Sequence, residues 1–286
     1  MEGKARILKG DCRLKPFLKW AGGKRWLVDR ALFNTPRYSG RYFEPFLGGG
    51  AVFFHLQPPR AVLADLNSRL IETYVAVRDN WQSVWHTLVE HQSRHSPEHY
   101  YLQRAFEYDS QVERAAQFIY LNRACWNGLY RENLRGEFNV PIGTKSTIIF
   151  NNDDFASVAH SLRDAQIVCS DFEDIVDKAG EGDLIFIDPP YTTAHNLNGF
   201  AKYNQRIFTW NDQVRLRDAA VRALDRNCRI IITNAAHESI YQLYSDHFSI
   251  LRVPRRSVIS GKNTGRQPTE ESIITNIEAA DVVECL

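Results

Sequence analysis

The chain has 286 residues, 44% of them hydrophobic and 24% charged; that is the composition of a globular protein with room for one large domain and a smaller lobe, not of a disordered, collagenous or coiled-coil chain. No run approaches the roughly 18 uncharged apolar residues of a membrane span, the N-terminus lacks the apolar core of a signal peptide, and the 5 cysteines are scattered without a C-x-x-C pair, so a soluble, cytoplasmic protein without disulfides or a bound metal is expected. With 35 basic and 34 acidic side chains the net charge is only +1, which alone would argue against a polyanionic partner.

That charge is not spread evenly. Residues 1–30 hold nine Lys/Arg against three acids and residues 252–266 five bases and no acid, whereas 146–192 hold ten acids to two bases and 270–286 five acids and no base. Such runs are most often solvated faces, and only the motifs beside them decide whether they do more.

In chain order, the first motif is Lys19-Trp20-Ala21-Gly22-Gly23-Lys24. It lacks the G-x-x-x-x-G-K-[ST] spacing of a Walker loop, so ATP hydrolysis is disfavoured, and a glycine turn before a helix would account for it equally well. RYFEPF at 41–46 reads as a strand running into Leu47-Gly48-Gly49-Gly50 and the apolar helix start AVFFHL. Glycines between a strand and a helix let the backbone approach a ligand held over the helix N-terminus, although the G-x-G-x-x-G dinucleotide spacing is missing. AVLADLN at 61–67 is a second strand, ending on Asp65, an acid placed to accept hydrogen bonds from ribose hydroxyls. Helical patterns follow from Leu70 to Leu88 and from Val112 to Leu121, and then 122–160 breaks the rhythm with Gly, Asn and aromatic residues, as a hairpin-bearing insert would. Further strands are expected at 166–172, 183–191, 228–234, 248–253 and 272–277, with a helix from Val214 to Leu224. Near-continuous apolar strands alternating with helices predict an open, mainly parallel α/β sheet covered on both faces. The expected division is a core of 1–74 and 161–286 with an inserted lobe at 75–160.

The strongest local signal is Asp188-Pro189-Pro190-Tyr191, directly after LIFI. Two prolines cannot continue a ladder, so the chain leaves the sheet at the carboxyl end of a buried strand, where open α/β sheets place their sites. Taken alone, the segment also suits a rigid loop whose Asp caps the next helix.

Together these segments resemble the Dam-type DNA adenine methyltransferases, the alpha group of amino-methyltransferases: FLKWAGGK at 17–24, FEPFLGGGAVF at 43–53, ADLN at 64–67, YLNRACWNGLYRENLRGEFNVPIG at 120–143, DPPY at 188–191, and RRSVISGKNTGR with EESIITN near the end. The resemblance covers most of the chain and preserves the family's motif order. It implies a Rossmann-like methyltransferase sheet with an inserted helical and hairpin DNA-recognition domain, S-adenosylmethionine as cofactor, double-stranded DNA as partner and a monomer in solution. It further implies that Trp20, Lys24, Asp65 and Asp188 contact the cofactor, that Phe46 and the glycines Gly48 and Gly50 wrap its methionine portion, and that Asp171 and Phe172 lie beside its adenine. Asp188, Pro189, Pro190 and Tyr191 would form the catalytic motif, with Asp188 and the Pro189 carbonyl accepting hydrogen bonds from the amine of a flipped adenine and Tyr191 stacking on the base.

Base recognition by the same resemblance falls to Lys19 and Arg131, matching guanine contacts of a GATC site; to Trp126 and Asn127, which would enter the gap around the flipped base; and to Leu129 and Pro141, apolar contacts. The chain departs from the family after Gly143, where Thr144-Lys145 stands in place of Arg and Tyr; Lys145 is kept as a DNA contact. A cytosine-C5 mechanism would need a Pro-Cys nucleophile, and none of the 11 prolines precedes a cysteine. Exocyclic cytosine methylation, an RNA or protein amino-methyltransferase and a non-catalytic DNA binder of the same fold are the alternatives.

Overall fold

The computed structural model describes residues 14–29, 33–34, 36–133, 137–194, 208–256 and 268–282. Among these residues seven strands form one sheet: β1 Tyr42–Glu44, β2 Ala61–Asp65, β3 Gln166–Cys169, β4 Leu184–Ile187, β5 Arg229–Ala235, β6 Ser249–Arg256 and β7 Pro268–Thr275. Their order is β3-β2-β1-β4-β5-β7-β6. The first five run parallel, and β7 lies antiparallel between β5 and β6. All seven strands are where the apolar runs predict them, with shifted ends. The expected strand at 166–172 stops at Cys169 because the Asp171 side chain accepts from the Glu173 amide and caps a helix instead. β3 is also the one parallel strand that is not buried on both faces, being at the sheet edge.

The pleat sends alternate residues to two cores. Tyr42, Leu63, Leu184, Phe186, Ile231 and Ile273 face one, while Phe43, Val62, Ile185, Ile187, Ile232 and Ile274 face the other. The first core is covered by α2 Ala51–Leu56, α3 Ser68–Ser93, α5 Gln111–Ala124 and α6 Phe155–Leu162, which follow the short α1 Arg25–Asp29 and enclose α4 Pro97–Ala105. The second is covered by α7 Phe172–Val176, α8 Trp210–Asp225 and α9 Glu238–Tyr244; α10 Ala279–Val282 ends the described chain. Residue type sets several of these boundaries. Asn67 caps α3 by accepting from the Leu70 amide, Ser96 precedes Pro97 at the start of α4, and Thr209 and Asp212 form a reciprocal capping box on α8.

α3 runs through the expected division at residue 74 and bends at Asn80, whose backbone is non-helical. The stretch after α5 folds back on itself. Bridges pair Cys125 with Ile142 and Glu132 with Phe138, and the Trp126 amide donates to the Pro141 carbonyl at 2.9 Å. This is the expected hairpin, although α6 begins inside the stretch assigned to it.

One buried side chain ties the hairpin lobe to the N-terminal segment. The Arg123 guanidinium, 1% exposed, pairs with Asp153 at 2.6 and 2.8 Å and donates to the carbonyls of Phe17 and Ile148. Beside it, Asn122 exchanges two hydrogen bonds with the backbone of Lys19, at 2.9 and 2.8 Å.

Candidate active site

Because β1 to β5 are parallel, the residues just beyond their carboxyl ends converge on one rim of the sheet. β1 sits centrally, with β2 and β3 on one side and β4 and β5 on the other. Chain connections therefore diverge between β1 and β4, the place where open sheets leave a crevice.

Asp188 follows β4 at that crevice. Its Oδ1 is held by two donors, the Lys24 ammonium at 2.6 Å and the Thr233 hydroxyl of β5 at 2.7 Å. Burial pushes the Asp188 carboxyl above the usual carboxylate range, while Lys24 and Thr233 act in the opposite direction. Lys24 is only 2% exposed; it also donates to the Gly22 carbonyl at 2.7 Å, lies 4.9 Å from the centre of the Tyr191 ring and 3.7 Å from Glu271 Oε2. The glycine turn before Lys24 thus serves to present its ammonium. Pro189 is buried and Pro190 half-buried. The Tyr191 hydroxyl donates to Glu271 at 2.7 Å, and burial raises its pKa well above the ordinary phenol value, so it remains a donor.

Next to this cluster is a glycine cradle. Gly48 and Gly50 have φ of 46° and 65°, a region that side chains other than glycine rarely adopt. A Cβ on Gly48 would stand 2.6 Å from Trp20 Cδ1, and one on Gly50 2.9 Å from the Tyr74 hydroxyl. Asp65, at the end of β2, accepts from the Gly48 and Asn67 amides at 3.0 Å each. Each carboxylate oxygen has a further lone pair, so acceptor capacity remains for a ligand. Burial raises the Asp65 pKa, opposed by the Asn67 and Gly48 amides. Phe46 and Phe172 stack with centroids 5.4 Å apart at 22°, and Phe208 meets Phe46 edge-on at 5.6 Å. Of the three rings only Phe46 keeps an exposed part. Asp171, whose carboxylate accepts from Arg215 at 2.9 Å, lies beside them.

The expected DNA-reading residues form a second group on the hairpin. Trp126 is 52% exposed, and Asn127 beside it adopts a left-handed φ of 57°. Arg131 donates to the Asn139 side chain at 2.9 Å, Leu129 is half-buried, and Pro141 and Lys145 are exposed. Lys19 and Lys145 both approach the Phe150 ring, at 5.2 and 5.8 Å, and burial together with Lys145 lowers the Lys19 pKa to about 8. Trp20 joins the two groups: it covers Gly48 on one side and stacks on Tyr130 of the hairpin at 5.4 Å. Of the basic runs at 1–30 and 252–266, residues 1–13 and 30 and the side chains of 255–266 lie outside the described residues.

Four contributors escape a reading of the motifs alone. Thr233 is a polar residue after the apolar run Ile230-Ile231-Ile232 of β5, and Glu271 precedes the apolar pair Ile273-Ile274 of β7. Tyr130 lies in the hairpin segment already singled out. Glu44 sits within FEPF, 3% exposed, bonded to the Tyr42 hydroxyl at 2.7 Å and pushed by burial to a pKa of about 8. For Thr233 and Glu44 the available signal was a polar side chain at a position that the strand pattern assigns to the interior, whereas Glu271 precedes the expected strand at 272–277 and carries no such signal.

A family profile described as D12 class N6 adenine-specific DNA methyltransferase matches residues 20–259. The chain belongs to that family. It is 36% identical over 279 residues to the type II methyltransferase M1.LlaDCHI of Lactococcus lactis subsp. cremoris, covering 94% of this chain and 98% of the relative. It is 34% identical over 262 residues to a DNA adenine methylase of Serratia marcescens, covering 90% and 96%, and 32% identical over 265 residues to that of Escherichia coli K12, covering 90% and 93%. The chain is accordingly a DNA adenine methyltransferase with a seven-stranded, mostly parallel Rossmann-like sheet. Among the described residues there is no cluster of His, Cys, Asp or Glu suited to a metal ion, and no helix long and apolar enough to cross a membrane.

Proposed function

We propose that this methyltransferase takes S-adenosylmethionine in the cradle of Trp20, Lys24, Phe46, Gly48, Gly50, Asp65, Asp171 and Phe172, and modifies a flipped adenine of double-stranded DNA at Asp188-Pro189-Pro190-Tyr191. The observation that carries this reading is the grip on Asp188: Lys24 and Thr233 both hold Oδ1, so that neither of these two contacts occupies Oδ2. The cradle suits the cofactor because a Cβ on Gly48 would collide with Trp20 and because Asp65 keeps acceptor capacity for a ribose diol. When bound, S-adenosylmethionine supplies an electrophilic methyl on a sulfonium.

The exocyclic amine of adenine is a poor nucleophile, since its lone pair is delocalised into the ring. Asp188 Oδ2 and the Pro189 carbonyl accept its two N–H bonds, favouring a tetrahedral nitrogen and stabilising positive charge as it develops. Tyr191 forms the aromatic wall against which the extruded base lies. Asp188 need not take a proton before transfer; the proton leaves to water afterwards.

Residues 75–160 act in this reading as the recognition domain, set on a catalytic domain of 1–74 and 161–286. Trp126 and Asn127 enter the gap left by the base, Lys19 and Arg131 read guanines, Leu129 and Pro141 make apolar contacts, and Lys145 meets phosphate, on a GATC site. The protein works as a cytoplasmic monomer. Incubation with labelled cofactor and plasmid, digestion to nucleosides and methylation-sensitive sequencing test the scheme; label absent from N6-methyladenosine refutes the chemistry, and label outside GATC refutes the site. Asp188→Ala is expected to abolish turnover while keeping most DNA affinity.

A further inference from the structure

Glu271 is a carboxylate inside the sheet. It stands on β7, opposite Ala235 of β5 and Val253 of β6, and is 3% exposed. Burying a charged group there is unfavourable unless partners compensate it. Two of its partners belong to the site described above: Oε2 accepts from the Tyr191 hydroxyl at 2.7 Å and lies 3.7 Å from the Lys24 ammonium.

The geometry separates two kinds of constraint on the loop after β4. Prolines 189 and 190 restrict its backbone, because each ring fixes φ. They do nothing for the side-chain torsions of Tyr191, and a wall for a flipped base must have a defined ring plane. The phenol oxygen is the far end of that ring, so a bond there fixes what the prolines leave loose. Lys24 lies between the two carboxylates, 2.6 Å from Asp188 and 3.7 Å from Glu271, and 4.9 Å from the ring centre. The wall, the ammonium and the amine acceptor are therefore tied into one unit by a residue 80 positions from Tyr191.

We infer that Glu271 is a positioning residue for methyl transfer, holding the Tyr191 ring through its hydroxyl so that the target adenine meets Asp188 in register. The inference rests on the reading of Asp188 to Tyr191 as the amine site. It goes beyond that reading by giving β7 a part in the reaction.

The experiment keeps the two apart. Label from the cofactor must first appear in N6-methyladenosine with the parent enzyme; its absence overturns the site reading before any Glu271 variant is made. Glu271→Gln, Tyr191→Phe and the double variant are then compared in single turnovers at saturating cofactor and DNA. Each single substitution is expected to slow transfer about tenfold, the scale of one charge-assisted hydrogen bond, and the double variant to be no more than about twofold slower than the worse single. Cofactor affinity by calorimetry should stay within about threefold of the parent, since a positioning role acts on the transfer step. Multiplicative losses in the double variant, a parent-like rate for Glu271→Gln, or a loss matched by an equal fall in cofactor affinity overturns the inference. Should Glu271→Gln fail to fold, Tyr191→Phe decides: a parent-like rate refutes the role, and a tenfold loss with unchanged melting supports it.

Discussion

Asp153→Ala should damage this enzyme more than any change to an exposed acid, although Asp153 touches none of the proposed reacting groups. Its carboxylate neutralises Arg123, which is 1% exposed, with two contacts at 2.6 and 2.8 Å, and it also accepts from the Phe150 amide at 2.7 Å. Removing it leaves a buried guanidinium with the carbonyls of Phe17 and Ile148 and the rings of Phe150 and Phe155 beside it, and no carboxylate in the contacts described. Breaking such a pair from one side costs about 3–5 kcal/mol. At roughly 2–4 °C per kcal/mol for a chain of this size, the melting temperature should fall by about 6–20 °C. The Arg123→Met, Asp153→Ala double variant removes both charges and should be less destabilised than the sum of its parts. Thermal unfolding followed by circular dichroism measures all three. A shift below about 2 °C for Asp153→Ala, or strict additivity in the double variant, would show that Arg123 is not sustained by this pair and would refute the reasoning.

Gly48→Ala should weaken S-adenosylmethionine binding by about tenfold or more, because a Cβ at φ 46° meets Trp20 at 2.6 Å and backbone strain of that kind costs roughly 1–3 kcal/mol. Gly180→Ala, where a Cβ meets nothing within 4 Å, is the control, and calorimetric titration reads both. Glu44 has a folded-state pKa of about 8, raised by burial above its ordinary value, so its contribution to stability is present in acid and is lost as pH rises through that value. Glu44→Gln should flatten the fall in melting temperature between about pH 5 and 9, and parallel curves for the two proteins would contradict the assignment. Lys19, lowered to about 8 by burial and Lys145, should lose its charge as pH rises through that value, so DNA affinity should weaken from about pH 7 to 9 in the parent but not in Lys19→Arg. An equal decline in both proteins, measured by fluorescence anisotropy, would remove Lys19 from the interface.

The sheet was legible because each strand carries its own evidence. LIFI, AVLAD and RIIIT are apolar runs closed by acid, Asn or Gly, and a strand buried on both faces leaves few other readings. Asp188 and the glycines near Gly48 were legible for the same reason, since proline and glycine act on the backbone locally. What escaped depends on partners far away in the chain. Thr233 and Glu271 look like ordinary strand residues until β5 and β7 are placed beside Asp188 and Tyr191, and Arg123 looks like a surface cation on α5 until Asp153 is brought against it. α4 has no counterpart among the expected helices, although Ser96 caps it and Pro97 opens it, both local signals.

The same distinction governs the charge. Along the chain, 146–192 is the most acidic stretch, and a solvated acidic face was the simple expectation. In space, six of its ten acids meet cations from elsewhere: Asp153 meets Arg123, Asp183 meets Arg41, Asp188 meets Lys24, and Asp171, Glu173 and Asp177 meet Arg215 and Arg222 of α8 and Arg226 just beyond it. Fields between exposed charges are screened beyond about 8–10 Å at physiological salt, so sums over neighbours in space, not over sequence windows, decide what a polyanion meets. On that basis the α7–α8 face is largely compensated. Lys24, counted in the basic N-terminal run, is spent on the carboxylates of Asp188 and Glu271. Lys145, exposed on the hairpin lobe, lies near Lys19 and over the Phe150 ring. In the proposed reading a near-neutral chain therefore offers a cationic surface to DNA, because many of its acids have been drawn into pairs elsewhere.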